Sequence, residues 1–174
     1  MTRPVWLLDV DGVLNATRPS WGTAPFRAYA HAGGHEWRMT WAPKLIHRIL
    51  ELHRSGEVEI RWCSTWCNDA AEVERIMHLP KFPPAFVVPD GGYVGDLKLA
   101  AARAVLADDC RLIWTDDDET PTCGPIYDEL TAGGRGLLIA PNPRRGLQPP
   151  DLDAIEEFLA AGRDRKPAVR VGAS

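Results

Sequence analysis

Short apolar runs alternate with segments of helical period along almost the whole chain, and that alternation leaves few folds open. The first run, Val5–Leu8, is apolar at every position, and further strand candidates recur at 58–63, 86–88, 111–114 and 136–140. Runs that are continuously apolar suit strands buried on both faces, as in a parallel sheet. Between them lie helical patterns. Leu45, Ile46, Ile49, Leu50 and Leu52 recur at helical spacing, with Thr40 as the expected cap, Pro43 in the first turn and Ser55-Gly56 at the end. A second helix is expected from a cap at Asn68 through Val73, Ile76 and Met77 to a stop at Pro80. A third covers 96–107, a helical turn 127–130, and a closing helix 151–161 carries Leu152, Ile155, Phe158 and Leu159 on one face. Strands alternating with helices predict an α/β three-layer sandwich around a mostly parallel sheet with right-handed crossovers. The pattern breaks at 15–41, where Pro19, Gly22, Pro25, Gly33 and Gly34 interrupt any period; this stretch reads as an irregular excursion beyond the first strand tip.

Composition narrows the classes further. The 174 residues, 45% hydrophobic and 25% charged, describe an ordinary globular chain rather than a disordered one. One domain over 1–161 and a basic tail over 162–174 account for the length. Twenty-four acidic against 20 basic residues give a net charge of −4, so the chain is no general polyanion binder, although a local basic patch stays open. No apolar run approaches the about 18 residues of a membrane span. Asp9 and Asp11 arrive before a signal-peptide core could be completed, and no membrane partner or secretory signal is expected. Cys63, Cys67, Cys110 and Cys123 lack a zinc-site spacing and are expected as free thiols, which fits a cytoplasmic location. The five histidines show no ligand pairing and receive no role.

In parallel α/β folds ligands bind outside the carboxyl ends of the strands, so the strand tips carry the functional reading. The first strand ends Asp9-Val10-Asp11-Gly12; residues two apart on a strand face one side, and two close carboxylates repel unless a cation or proton lies between them. The fourth run ends in Asp116-Asp117-Asp118-Glu119. Carboxylates converging from neighbouring strands make an oxygen-rich site for a hard cation such as Mg²⁺. The second run ends Cys63-Ser64-Thr65, with hydroxyls suited to a phosphate oxygen. Lys98 stands in the first turn of a helix, where a cation opposes the helix dipole unless an anion is held nearby. Each feature alone is ordinary: an Asp-Gly turn, a solvated acidic loop, a capping hydroxyl, a surface lysine. Their joint occurrence in chain order at successive strand ends points to phosphoryl chemistry.

These residues resemble the motifs of the haloacid dehalogenase (HAD) superfamily of phosphohydrolases. Asp9-Val-Asp11-Gly-Val-Leu-Asn looks like its first motif, Ser64 its second, Lys98 its third and Asp116-Asp117 its fourth. The stretches LLDVDGVLN, RWCSTW, LIWTDDDE and GLQPPDLDAIEEFL resemble the HAD domain associated with Swiss-army-knife RNA repair proteins, over about residues 5–160. Thr65 competes with Ser64 as the phosphate-binding hydroxyl, and Lys81 competes with Lys98. The resemblance implies a Rossmann-like HAD sandwich with minimal or no cap. It also implies a Mg²⁺-dependent phosphomonoesterase. Asp9 is then the nucleophile that forms an aspartyl-phosphate, Asp11 the general acid and base, and Ser64 the holder of a phosphoryl oxygen. Lys98 offsets charge on Asp9 and phosphate. Mg²⁺ lies among the Asp9 carboxylate, the Asp11 backbone carbonyl and Asp116, while Asp117 ligates directly, ligates through water or orients Lys98.

The substrate is less constrained. A nearly uncapped site is open to phosphate ends on large molecules, and the resemblance points to RNA or DNA ends. Arg144-Arg145 then grips a neighbouring phosphate, and exposed Trp21 or Trp37 stacks on a base. Small phosphomonoesters are the competing substrates, and a catalytically silent binding module is the competing function, against which the presence of both Asp9 and Asp11 argues. A third reading is a phosphatase working beside a separate kinase or ligase, since the chain has no P-loop sequence of its own.

Overall fold

Val5, Trp6, Leu7 and Leu8 are all buried, as a strand covered on both faces requires, and they form the centre of the sheet. A computed structural model describes residues 2–91 and 93–164. In chain order the elements are β1 (Val5–Leu8), β2 (Phe26–Ala32), β3 (His35–Trp41), α1 (Pro43–Ser55), β4 (Glu59–Trp62), α2 (Ala70–Met77), α3 (Gly95–Ala107), β5 (Leu112–Thr115), α4 (Pro125–Thr131), β6 (Gly136–Ile139) and α5 (Pro149–Asp164). β4, β1, β5 and β6 lie side by side in that order, all parallel.

Alternation along β1 divides the core into two layers. Trp6 and Leu8 join Ile60, Trp62 and Ile113 beneath α1, α2 and α5, whose Leu45, Ile49, Val73, Ile76, Leu152 and Ile155 fill that side. Val5 and Leu7 point the other way, to Leu112, Trp114, Ala102, Val105 and Leu130 of β5, α3 and α4. Helices therefore cover both faces of a parallel sheet, in agreement with the expected α/β sandwich. Among the described residues, no helix is long and apolar enough to cross a membrane. All four cysteines are free.

The register aligns the strand tips. Leu8 pairs with both Trp62 and Thr115, and Thr115 with Ile139. The ladder runs one step further: Asp9 N–H donates to the Thr115 carbonyl at 3.1 Å, Cys63 N–H to Leu8 at 2.9 Å and Asp116 N–H to Ile139 at 3.2 Å. Asp9, Cys63-Ser64 and Asp116 are thereby fixed by backbone pairing at one edge.

Five expectations change. The stretch 15–41 is not irregular throughout, because β2 and β3 pair antiparallel from Phe26↔Trp41 to Ala32↔His35. Gly33 and Gly34 close this hairpin with φ of 57° and 77°, the positive values that a two-residue turn matching strand twist demands. Thr40 belongs to β3 and does not cap α1; the N-cap is Ala42, without a side-chain hydrogen bond. The run 86–88 forms no strand. Its neighbourhood makes one bridge, Trp62↔Pro84, and Pro83 and Pro84 lack the N–H groups that would carry a ladder onward. Asn68 caps no helix: its side chain clasps the backbone of Val88, donating at 2.9 Å and accepting at 3.0 Å, while Ser64 caps a 3₁₀ turn, Thr65–Asp69, that leads into α2. The closing helix begins two residues early because Pro149 and Pro150 suit a first turn, and it runs to Asp164. The remainder of the expected tail, 165–174, lies outside the described residues.

Candidate active site

β1 delivers Asp9 to the sheet edge almost fully buried. One carboxylate oxygen, Oδ1, accepts from Val10 N–H at 2.7 Å; the other, Oδ2, accepts from Lys98 Nζ at 2.8 Å. Lys98 Nζ also donates to Asp116 Oδ2 at 2.6 Å, and Asp116 Oδ1 accepts from the backbone N–H groups of Asp118 and Glu119 at 3.1 and 2.8 Å. The lysine reaches in from the buried stripe of α3, which it shares with Ala102 and Val105. Its ammonium thus bridges acids from two adjacent strands. Lys81, the competing lysine, is exposed and does not line this cavity.

Asp9, Asp116 and Asp117 each place a carboxylate oxygen within 4.8 Å of the others. Three acids thus face one ammonium. Burial, reinforced by repulsion from Asp116 and only partly countered by Lys98 and a Ser64 hydrogen bond, raises the Asp9 pKa from 3.8 to about 7. The Asp117 carboxyl is raised by burial and then by Asp116. Burial works against the charge on Lys98, but Asp9 and Asp116 more than offset it and hold its pKa above the usual lysine value. A donor set made only of oxygens, with excess negative charge and raised carboxyl pKa values, fits a hard divalent cation such as Mg²⁺.

Asp11 stands apart from that trio. Its Oδ1 accepts from Asn15 Nδ2 at 2.7 Å and its Oδ2 from Trp66 Nε1 at 2.9 Å. Its carboxylate is bound to Asn15 and Trp66 rather than joining the three-acid cluster. Asp9, Asp11, Thr65, Lys98 and Asp117 all line one cavity of about 430 Å³. Gly12 makes this crowding feasible: its φ is 69°, and any side chain there would collide with the Asp117 carboxylate. Ser64 is fully buried and its hydroxyl accepts from Trp66 N–H at 3.3 Å, whereas Thr65 is exposed to the cavity.

The structure does not bring Arg144 to the acids. It lines a separate cavity of about 500 Å³ with Arg18 and Arg145. Trp21 is a correction: it is buried, and its indole N–H donates to the Leu147 carbonyl at 2.8 Å, so no base can stack on it. Trp37 is 51% exposed, near the hairpin tip. Asn15 and Trp66 carry no assigned role in the sequence reading, yet they orient Asp11; Asn15 closes the DVDGVLN motif itself. Tyr93 was likewise missed; it lines the cavity and its hydroxyl donates to Glu119 at 2.7 Å.

No protein-family model matches the chain, and no curated protein matches it.

Proposed function

We propose that this protein is a Mg²⁺-dependent phosphomonoesterase of the HAD type, acting through an aspartyl-phosphate on Asp9. The observation that carries the reading is the bridge from Lys98 Nζ to Asp9 and Asp116, at 2.8 and 2.6 Å, beside Asp117 in a cavity at the carboxyl edge of a parallel sheet.

In the first step an Asp9 carboxylate oxygen attacks phosphorus, the P–O bond to the leaving alcohol breaks, and Asp11 gives its proton to the departing oxygen. In the second, Asp11 takes a proton from water, the water oxygen attacks phosphorus, and the P–O bond to Asp9 breaks to release inorganic phosphate. Asn15 and Trp66 hold both Asp11 oxygens, which fixes the direction in which its proton is exchanged. Lys98 neutralises charge on Asp9 as the phosphate approaches. The Asp9, Asp116 and Asp117 carboxylates and the Asp11 carbonyl would hold Mg²⁺, which when bound would supply positive charge for an anionic nucleophile to meet an anionic phosphate. Thr65, which lines the cavity, receives a phosphoryl oxygen together with the adjoining backbone. The β2–β3 hairpin, which follows the first motif, serves as the minimal cap.

Hydrolysis of p-nitrophenyl phosphate by the full chain tests this. The expected result is turnover with Mg²⁺, its loss with chelator, and a fall of roughly 10⁴-fold for Asp9→Asn. Turnover indifferent to chelator and to the substitution would overturn the reading.

A further inference from the structure

A second cavity, of about 420 Å³, adjoins the acidic one, and Asp11 lines both. Besides Asp11 it is walled by Asn15, Thr17, Thr40 and two arginines of the hairpin, Arg27 and Arg38. The antiparallel register explains why the arginines meet there. Arg27 faces Thr40 and Tyr29 faces Arg38, so Arg27, Tyr29 and Arg38 share one face of the ribbon with the arginines diagonal to each other. The opposite face carries Ala28, Ala30, Met39 and Trp41 into the core, which pins this one outward.

Neither Arg27 nor Arg38 has a carboxylate partner among the described residues. Arg48, Arg61, Arg75 and Arg103 each hold one. The acid on the cavity wall, Asp11, already has both oxygens engaged by Asn15 and Trp66. Surface arginines are often merely solvated. Two like charges set diagonally, in a cavity whose only acid is spoken for, make a site that an anion would relieve.

The direction of the reaction says which anion. If Asp11 protonates the leaving oxygen, the leaving group departs on the Asp11 side, where this cavity opens. Asn15 ties the two regions together: its Nδ2 donates to Asp11 and its Oδ1 accepts from Thr40 N–H of β3 at 2.8 Å. We infer that Arg27 and Arg38 bind a second phosphate carried by the leaving group, so that the preferred substrates bear a phosphate beyond the one removed. This rests on the phosphatase reading. The second phosphate is a monoester in a nucleoside bisphosphate and a diester in a phosphorylated strand end. Tyr29, 54% exposed between the arginines, offers a ring for the attached base.

The test compares kcat/KM for four substrates with Mg²⁺: p-nitrophenyl phosphate, a nucleoside 3′-monophosphate, the matching 3′,5′-bisphosphate and a short 3′-phosphorylated oligonucleotide. Wild type is expected to favour the substrates with a second phosphate over the nucleoside monophosphate by about tenfold or more, through KM. In Arg27→Gln/Arg38→Gln this ratio falls toward unity, whereas Arg54→Ala, exposed at the end of α1, leaves it unchanged. Thermal melts check that each variant is folded. A larger gain for the oligonucleotide, diminished by Tyr29→Ala, assigns the second phosphate to a strand; equal gains assign it to any bisphosphate, and both support the subsite. A wild-type ratio near one, or a ratio that survives the double substitution, would overturn the subsite while monoester turnover keeps the phosphatase reading. Absence of all turnover would overturn both.

Discussion

The carboxyl edge of the sheet and the hairpin beside it hold charge in opposite ways. At the edge, Asp9, Lys98 and Asp116 are buried, each is hydrogen-bonded to another, and strand register sets Asp9 beside Asp116. On the hairpin, Arg27, Tyr29 and Arg38 stand exposed on one face, and no carboxylate engages the arginines among the described residues. Buried, mutually paired charges are costly to alter singly; exposed, unpaired ones are nearly free to change. On the proposed reading, the difference separates the chemistry, held at the strand tips, from the choice of substrate, carried on a surface ribbon that Asn15 ties to Asp11.

That separation is sharpened or broken by a graded series. Asp9→Asn is expected to lower kcat by roughly 10⁴-fold, and Asp11→Asn by about 10²–10⁴-fold, in steady-state assays with Mg²⁺. Lys98→Met leaves two buried carboxylates uncompensated and is expected to cost about 3–5 kcal/mol in urea unfolding without metal. Added Mg²⁺ is expected to restore part of that loss; a loss below that of the hairpin variants would erase the contrast. Asn15→Ala frees Asp11 and cuts the tie to β3, so a fall in kcat of about tenfold is expected with little change in KM. A change in KM alone would place Asn15 in binding rather than in orientation.

The smaller effects read the edge by pH and the hairpin by stability. With chelator present, Asp9 has a folded pKa of about 7 against an ordinary 3.8. Between those values the folded protein keeps a proton that the unfolded chain has released. Its contribution to stability is therefore complete below 3.8 and lost as pH rises through about 7. As pH rises across that window the unfolding free energy of wild type is expected to fall relative to that of Asp9→Asn, the two curves running parallel outside it; parallel curves throughout would place Asp9 in a more solvated setting. Arg27→Gln and Arg38→Gln are expected to shift stability by no more than about 0.5 kcal/mol.

Much of this was legible in the sequence, for unequal reasons. β1 announced itself because it is apolar at every position, the other parallel strands because short strand-like runs recur between helical patterns, and Asp9, Asp116 and Ser64 followed from asking what ends each strand. Lys98 was readable too: it stands four residues before Ala102 and seven before Val105, on the apolar stripe of α3. The hairpin was hidden because the inner positions of β2 are the small residues Ala28, Ala30 and Ala32, while Tyr29 and Phe26 lie exposed, which flattens the alternation that marks a strand. Gly33-Gly34 was the overlooked signal. The hold on Asp11 by Trp66 joins residues from separate strand tips and leaves no mark in local pattern. Trp21 misled because its surroundings are rich in Pro and Gly, yet its indole N–H finds a carbonyl far along the chain.

The central claim is that Asp9 becomes phosphorylated. Acid-quenching a single turnover of a phosphomonoester with Mg²⁺, then digesting and mapping by mass spectrometry, reads it directly. The account predicts a phosphate adduct on the peptide containing Asp9, absent from Asp9→Asn. Full turnover with no adduct, or an adduct on another residue, would contradict it.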